Sequence, residues 1–314
     1  MTAMTNIPTD SPAAPTRPTS ESLDTILGQA FPVLDDGFVR VVDYMGNDAA
    51  IVQAARVSYG TGTKKVHQDR GLIRYLLRNA HTTPFEMCEI KFHVRVPMDT
   101  WRQWVRHRTA NINEYSTRYS VAIDSAQQTA PAEWRLQSSG NRQGSEGYFD
   151  AAARQHFLEQ EKEMQENSRA VYEKRIQAGI AREQARKDLP LSTYTEAFWK
   201  VDLHNLLHFL QLRMDDHAQS EIRDYARTIG NEIVARWCPT AWEAFLDYRV
   251  NALAFSNLET QVLGLLISGN REAAARTATE LGLIRTRDDR LIVSREGQEL
   301  ESKLRRIGLD VPWH

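Results

Sequence analysis

Arg102, Arg106, His107, Arg108 and Arg118 crowd into residues 102–118 of a chain whose formal net charge is −2. A guanidinium fork matches phosphate oxygens two at a time. The cluster therefore suits a phosphorylated ligand, and Ser116, Thr117 and nearby backbone N–H groups are placed to complete a phosphate cradle. Trp101, Trp104, Tyr115 and Tyr119 are interleaved with the arginines, where aromatic faces can stack on a planar ring. Trp101 and Trp104 fit equally well as core. On charge alone, a solvated basic helix face or a small RNA-binding patch also fits.

A second constellation runs through 201–225: His204, His208, Arg213, Asp215, Asp216, His217 and Glu221. Read as one continuous helix, it puts His204 and His208 on one face. His217, nine steps of about 100° beyond His208, falls on the other side. No Glu-x-x-His pair of the di-iron type is present, so no metal is expected. Arg213, His217 and Glu221 repeat at i, i+4 and i+8, which predicts one face that aims Arg213 at a ligand. The two cysteines, Cys88 and Cys238, make no disulfide framework and no Cys-rich metal site. Cys88 falls in an apolar register. Cys238 has only Arg236 as a basic neighbour, so neither is expected to be a nucleophile.

The elements that must position these groups follow from periodicity. Residues 1–33, rich in Pro, Thr, Ser and Ala, read as a disordered arm. A strand is predicted over 38–43, a helix over 49–57 capped by Asn47, and a helix over 71–79. Thr83-Pro84-Phe85-Glu86 has a capping-box pattern with Thr83 as N-cap. Residues 88–96 alternate with period two, which predicts a half-buried strand. A helix over 101–107 follows, capped by Asp99 or Thr100. Residues 125–150 read as a surface loop, and helices are predicted over 150–178, 181–187, 196–214 and 218–237. No apolar run reaches the ~20 residues of a bilayer span, so a cytoplasmic location is expected. No G-x-G-x-x-G follows a strand, which disfavours a Rossmann dinucleotide site. The class is α+β.

Four segments in order carry a resemblance. They are AARVS (54–58), HTTPFE (81–86), RQWVRHR…NEYSTRYS (102–120) and LRMDDHAQSEI (212–222), and the third contains an Arg-His-Arg–x7–Ser pattern. Over about 35–250 the chain resembles the flavin-dependent thymidylate synthases. The resemblance implies a small, mostly antiparallel sheet packed with several long helices, in a domain spanning 34–253. It implies reductive methylation of dUMP to dTMP, with methylenetetrahydrofolate as carbon donor, FAD as hydride carrier and NADPH as reductant. It implies FAD contacts from Ser58, His81, Thr83, Glu86, Arg106, His107, Arg108, Glu114, Asp202, His204 and His208. It implies dUMP contacts from Gln103, Arg106, Glu114, Tyr115, Ser116, Thr117, Arg118, Arg186 and Arg213, with Arg213 activating the pyrimidine. A homotetramer with sites between subunits is implied, and no nucleic-acid partner. Residues 254–314 lie beyond the resemblance. They read as a mostly helical extension, with a small winged-helix-like module over 292–306 as the other reading.

Overall fold

The computed structural model describes residues 17–57, 69–138 and 144–314. They form two units, divided after Val250. In chain order the first contains α1 (Glu21–Asp24), β1 (Ala30–Val33), β2 (Gly37–Met45), α2 (Asp48–Val57), α3 (Asp69–Arg78), α4 (Thr83–Glu86), β3 (Glu89–Pro97), α5 (Met98–Trp104) and β4 (Asn111–Glu114). It continues with β5 (Arg135–Gln137), β6 (Ser145–Tyr148), α6 (Ala151–Gln177), α7 (Arg182–Ala185), β7 (Tyr194–Asp202), α8 (Leu203–Arg213), α9 (Ser220–Thr228), α10 (Ala235–Trp237) and α11 (Pro239–Phe245). The second unit holds α12 (Asn257–Ile267), α13 (Arg271–Glu280), β8 (Ile284–Arg287), β9 (Arg290–Val293) and α14 (Arg295–Arg306).

Alternation of side chains builds the main sheet. In β3, Ile90, Phe92, Val94 and Val96 are buried while Glu89, Lys91, His93 and Arg95 stay half-buried on the other face. The five strands run β1-β2-β3-β7-β4, every neighbouring pair antiparallel. The polar face is tied across strands: Lys200 lies 2.9 Å from Glu89 and His93 lies 2.8 Å from Glu196. The apolar face packs on helices through an aromatic cluster. Trp104 of α5 lies 5.1 Å from Trp199 of β7, 4.9 Å from Phe209 of α8 and 5.7 Å from Tyr225 of α9, ring centre to ring centre. One buried indole thus ties together the elements that carry the arginines.

Several expectations are corrected. Residues 196–214 are not one helix. Tyr194, Thr195, Phe198, Trp199 and Val201 suit a pleated surface, and the segment is inserted between β3 and β4 as β7 before α8 begins. Residues 17–33 are ordered: Leu23 and Ile26 are buried, β1 pairs with β2, and Ser20 Oγ donates to the Arg236 carbonyl at 2.7 Å. The start of the arm, 1–16, lies outside the described residues. Thr83 is not an N-cap. Thr82 precedes α4 with helical φ −84° and ψ −40°, and no side chain caps the turn. Helix α5 starts at Met98 after Pro97 and stops at Trp104, so Arg106, His107 and Arg108 emerge from its end. The 125–150 stretch contains the β5–β6 hairpin. Residues 254–314 carry three helices, in keeping with a mostly helical extension, together with the β8–β9 hairpin and a core of their own.

Candidate active site

The end of α5 delivers Arg106, His107 and Arg108 to one wall of a cavity of about 510 Å³. Trp199 and Val201 of β7 line it as well. Helix α8 supplies His204, Asn205, His208, Leu212 and Arg213. Asp202 ends β7 and caps α8: its Oδ1 accepts from the Asn205 N–H at 2.9 Å and its Oδ2 from the Asn205 side-chain amide at 2.7 Å. Both carboxylate oxygens therefore serve the helix start, and Asn205 rather than Asp202 reaches the cavity wall.

Arg213 is clamped by α5. Its Nε donates to His107 Nε2 at 3.0 Å and its Nη2 donates to the Gln103 carbonyl at 3.2 Å. Because His107 accepts at Nε2, a neutral ring carries its proton on Nδ1. Burial, then Arg213, then His208 push the His107 pKa down from 6.5 to about 4. Burial and then Arg106 also lower Arg213, whose guanidinium nonetheless stays charged. The predicted stripe of Arg213, His217 and Glu221 does not form, because α8 ends at Arg213. His217 is exposed and bonds to Asp215 at 2.7 Å. Glu221 opens α9 and pairs with Arg135 at 2.8 Å.

The His107 shift fixes a pH dependence. An unfolded histidine takes up its proton near 6.5 and the folded one only near 4. The stability contributed by the neutral ring is thus fully present above pH 6.5 and is lost as pH falls toward 4. An NMR titration should give a His107 midpoint near 4; a midpoint near 6.5 would show that the ring is not the buried acceptor of Arg213.

His204 and His208 also line a second cavity of about 150 Å³, with Leu76, Ala80, His81 and Phe85 among its other walls. His81 stacks on Tyr75 with ring centres 5.8 Å apart. Thr83 is exposed and Glu86 half-buried, and neither lines either cavity. Ser58 lies outside the described residues.

The remaining nucleotide candidates gather elsewhere in the protomer. Arg186 donates to Thr117 Oγ1, Arg118 pairs with Glu183 at 3.1 Å, and Ser116 Oγ accepts from the Arg118 N–H at 3.4 Å. Glu114 on the edge strand β4 accepts from Thr195 Oγ1 at 2.9 Å, and the Tyr115 hydroxyl donates to the Val121 carbonyl at 2.8 Å. Among the described residues, no hydrogen bond or ion pair joins this group to the Arg106–Arg213 cavity.

Besides Asn205 and other cavity-lining residues, Gln219 was missed in the sequence. Gln219 Oε1 accepts from Gln103 Nε2, and Gln219 Nε2 donates to Asp99 Oδ2 at 3.4 Å. It ties both ends of α5 to the start of α9. It sits inside LRMDDHAQSEI, but nothing local in that string points to Gln103.

A family model described as thymidylate synthase complementing protein matches residues 40–240. The chain belongs to the flavin-dependent thymidylate synthase family. A flavin-dependent thymidylate synthase of Wolbachia pipientis is 49% identical over 265 residues, covering 83% of this chain and 91% of that protein. One from Ruegeria pomeroyi is 48% identical over 287 residues, covering 90% and 94%. A crystal structure of the UMP/dUMP methylase PolB from Streptomyces cacaoi bound with 5-Br UMP superimposes with a TM-score of 0.63. The two share 32% identity, over 69% of this chain and 96% of that one. The resemblance read from the four motif segments is thereby confirmed, together with the α+β fold.

For a flavin-dependent thymidylate synthase the donor set of the larger cavity is apt. Arg106 and Arg108 offer forks for phosphate, and the exposed Leu212 offers apolar surface for a planar ring, with the buried Trp199 and Val201 behind the wall. A thiolate has no place in it. Cys88 and Cys238 are both free and fully buried, and neither lines either cavity. Burial and the Cys88 thiol raise the Cys238 pKa well above its usual value. Cys238→Ala should therefore keep turnover within about twofold of wild type in a dTMP assay. A folded, flavin-loaded variant without activity would restore the thiol to the mechanism.

Proposed function

We infer that the chain converts dUMP to dTMP, taking the carbon from methylenetetrahydrofolate with FAD as hydride carrier and NADPH as reductant. The observation that carries this reading is the clamp on Arg213. The guanidinium is fixed by neutral His107 and the Gln103 carbonyl beside Arg106 and Arg108, so a cation stands ready in a partly enclosed cavity. Against a uracil ring, it stabilises negative charge as it develops, which makes C5 more nucleophilic. A neutral His107 is needed for this, since a protonated ring would repel Arg213 rather than accept its Nε–H. Arg106, Arg108, His204 and His208 would hold FAD, whose chemistry when bound is to supply the hydride that completes the methyl group.

Thr117, Arg118 and Arg186 form the phosphate cradle of dUMP, with Ser116 and Glu114 beside it. The absence of bonds between this group and the Arg213 cavity in one protomer, among the described residues, favours a homotetramer in which neighbouring copies complete each site. His81 and the smaller cavity serve the folate and flavin side. No helix among the described residues is long and apolar enough to cross a membrane, which supports a cytoplasmic enzyme.

The test is dTMP formation by the flavin-loaded protein from dUMP, methylenetetrahydrofolate and NADPH. No dTMP from a protein with a full flavin spectrum would overturn the reading.

A further inference from the structure

We propose that residues 251–314 bind duplex DNA through a helix-turn-helix followed by a β-ribbon wing. The unit begins beyond the residues matched by the family model and stands on its own core of Val262, Ala274, Ala278, Leu283, Ile284, Leu300 and Leu304. Its first helix, α12, opens with a complete capping box from Ser256 and Glu259. The link to α13 is only Ser268-Gly269-Asn270. Gly269 takes the left-handed φ of 81° that such a short turn needs, and Asn270 caps the second helix. Two helices joined by three residues with a central glycine have the length and chemistry of a helix-turn-helix.

The second helix has two distinct faces. Ala274 and Ala278, four residues apart, are buried against the rest of the unit, and their small side chains permit close packing. Glu272, Arg276 and Thr279 are exposed, with a weak ion pair between Arg276 and Glu272 at 3.7 Å. These types read base edges in a major groove: Arg takes guanine O6 and N7, Glu accepts from cytosine N4, and Thr contacts the thymine methyl. In the docking mode of this motif the second helix enters that groove.

The hairpin supplies a second, independent observation. Asp288 and Asp289 form its two-residue turn with φ of 52° and 57°, which closes β8 onto β9. Arg285, Arg287 and Arg290 are exposed on it, and Arg287 stands directly opposite Arg290. Like charges facing each other across a strand pair are destabilising, and a polyanion would neutralise them. Arg287 has one weak ion pair, to Asp288 at 3.7 Å, and Arg285 and Arg290 have none among the described residues. On α14, Lys303 pairs with Glu259 at 2.7 Å and Arg305 with Glu301 at 2.9 Å, while Arg295 has only an exposed pair to Glu299 at 3.6 Å and Arg306 bonds the Asn251 carbonyl at 3.0 Å. Arg285, Arg287 and Arg290 thus put three weakly paired or unpaired cations on one hairpin, flanking the acidic Asp288-Asp289 tip, where a wing would lie along a phosphate backbone.

The test uses the full flavin-loaded chain with saturating dUMP, so that the Arg213 cavity is blocked. A fluorescein-labelled duplex of about 30 base pairs is titrated by anisotropy from about 50 to about 200 mM KCl. Saturable binding that weakens at least roughly tenfold across that range is expected. The combined Arg285→Ala, Arg287→Ala and Arg290→Ala variant should bind at least about tenfold more weakly, with the log–log salt slope shallower by up to about 2.7, and with dTMP formation unchanged. Arg287→Ala alone, at a side chain 75% exposed, guards against a folding defect and should flatten the slope by about 0.9. No saturable binding, a triple variant that binds like wild type, or tighter binding of single-stranded RNA than of duplex each overturns the assignment.

Discussion

Arg213→Ala is expected to lower turnover by about 10²- to 10³-fold while FAD remains bound. The size follows from what is removed. A preorganised cation aimed at developing negative charge needs no reorganisation as the reaction proceeds, and deleting one such donor typically costs that much. The retention of FAD is expected because the residues proposed to hold it, Arg106, Arg108, His204 and His208, remain in the cavity wall. Arg213→Lys should rescue little. The native side chain uses Nε toward His107 and Nη2 toward Gln103 at once, and a lysine ammonium cannot reproduce that planar fork. The check is kcat for dTMP formation beside the visible flavin spectrum. Turnover within about tenfold of wild type in the alanine variant would remove Arg213 from the chemistry.

The largest loss of stability is expected from Trp104→Ala, about 3–5 kcal/mol by urea unfolding. Trp104 is fully buried and meets Trp101, Trp199, Phe209 and Tyr225, side chains from α5, β7, α8 and α9. Truncation leaves a cavity that four separate elements would have to collapse to fill. Total stabilities run at about 5–15 kcal/mol, so the variant stands near its unfolding threshold at moderate temperature. Function should suffer as well, since Trp104 lies between Gln103 and Arg106 in the chain and sets where both point. Trp104→Phe keeps a ring and removes an indole N–H that has no partner, so it should cost distinctly less. A loss under about 1 kcal/mol for the alanine variant would mean that the cluster repacks freely.

The parts of the site legible in the sequence were those whose signal is local. The Arg106-His107-Arg108 tripeptide stood out because positive charge was concentrated in a chain with none to spare. Strand β3 was readable because Ile90, Phe92, Val94 and Val96 alternate strictly with polar residues. Strand β7 was not, because Glu196, Ala197 and Lys200 are good helix formers and run straight into the helical Leu203–Arg213. Only pairing on both edges decides that segment, and pairing partners are not written in it. The same error produced the false stripe of Arg213, His217 and Glu221, which assumed that one helix carried all three. Gln219 was invisible for a related reason: its partner Gln103 lies 116 residues away. The winged-helix-like reading of 292–306 named only β9 and α14; the partner strand β8, with its short run Ile284–Arg287, carried no local signal.

Asp202 belongs both to the last rung of β7 and to the cap of α8, with no spacer between strand and helix. The end of this interior strand therefore acts as the zero mark of a ruler, and eleven helical residues of about 1.5 Å each set the reach to Arg213. Losing or gaining a single residue between Tyr194 and Arg213 cannot be absorbed locally. Within the strand it would swap the inward and outward sets of side chains. Within the helix it would swing the guanidinium about 100° around the axis, away from His107. Substitutions are tolerable along this stretch, but its length is not negotiable.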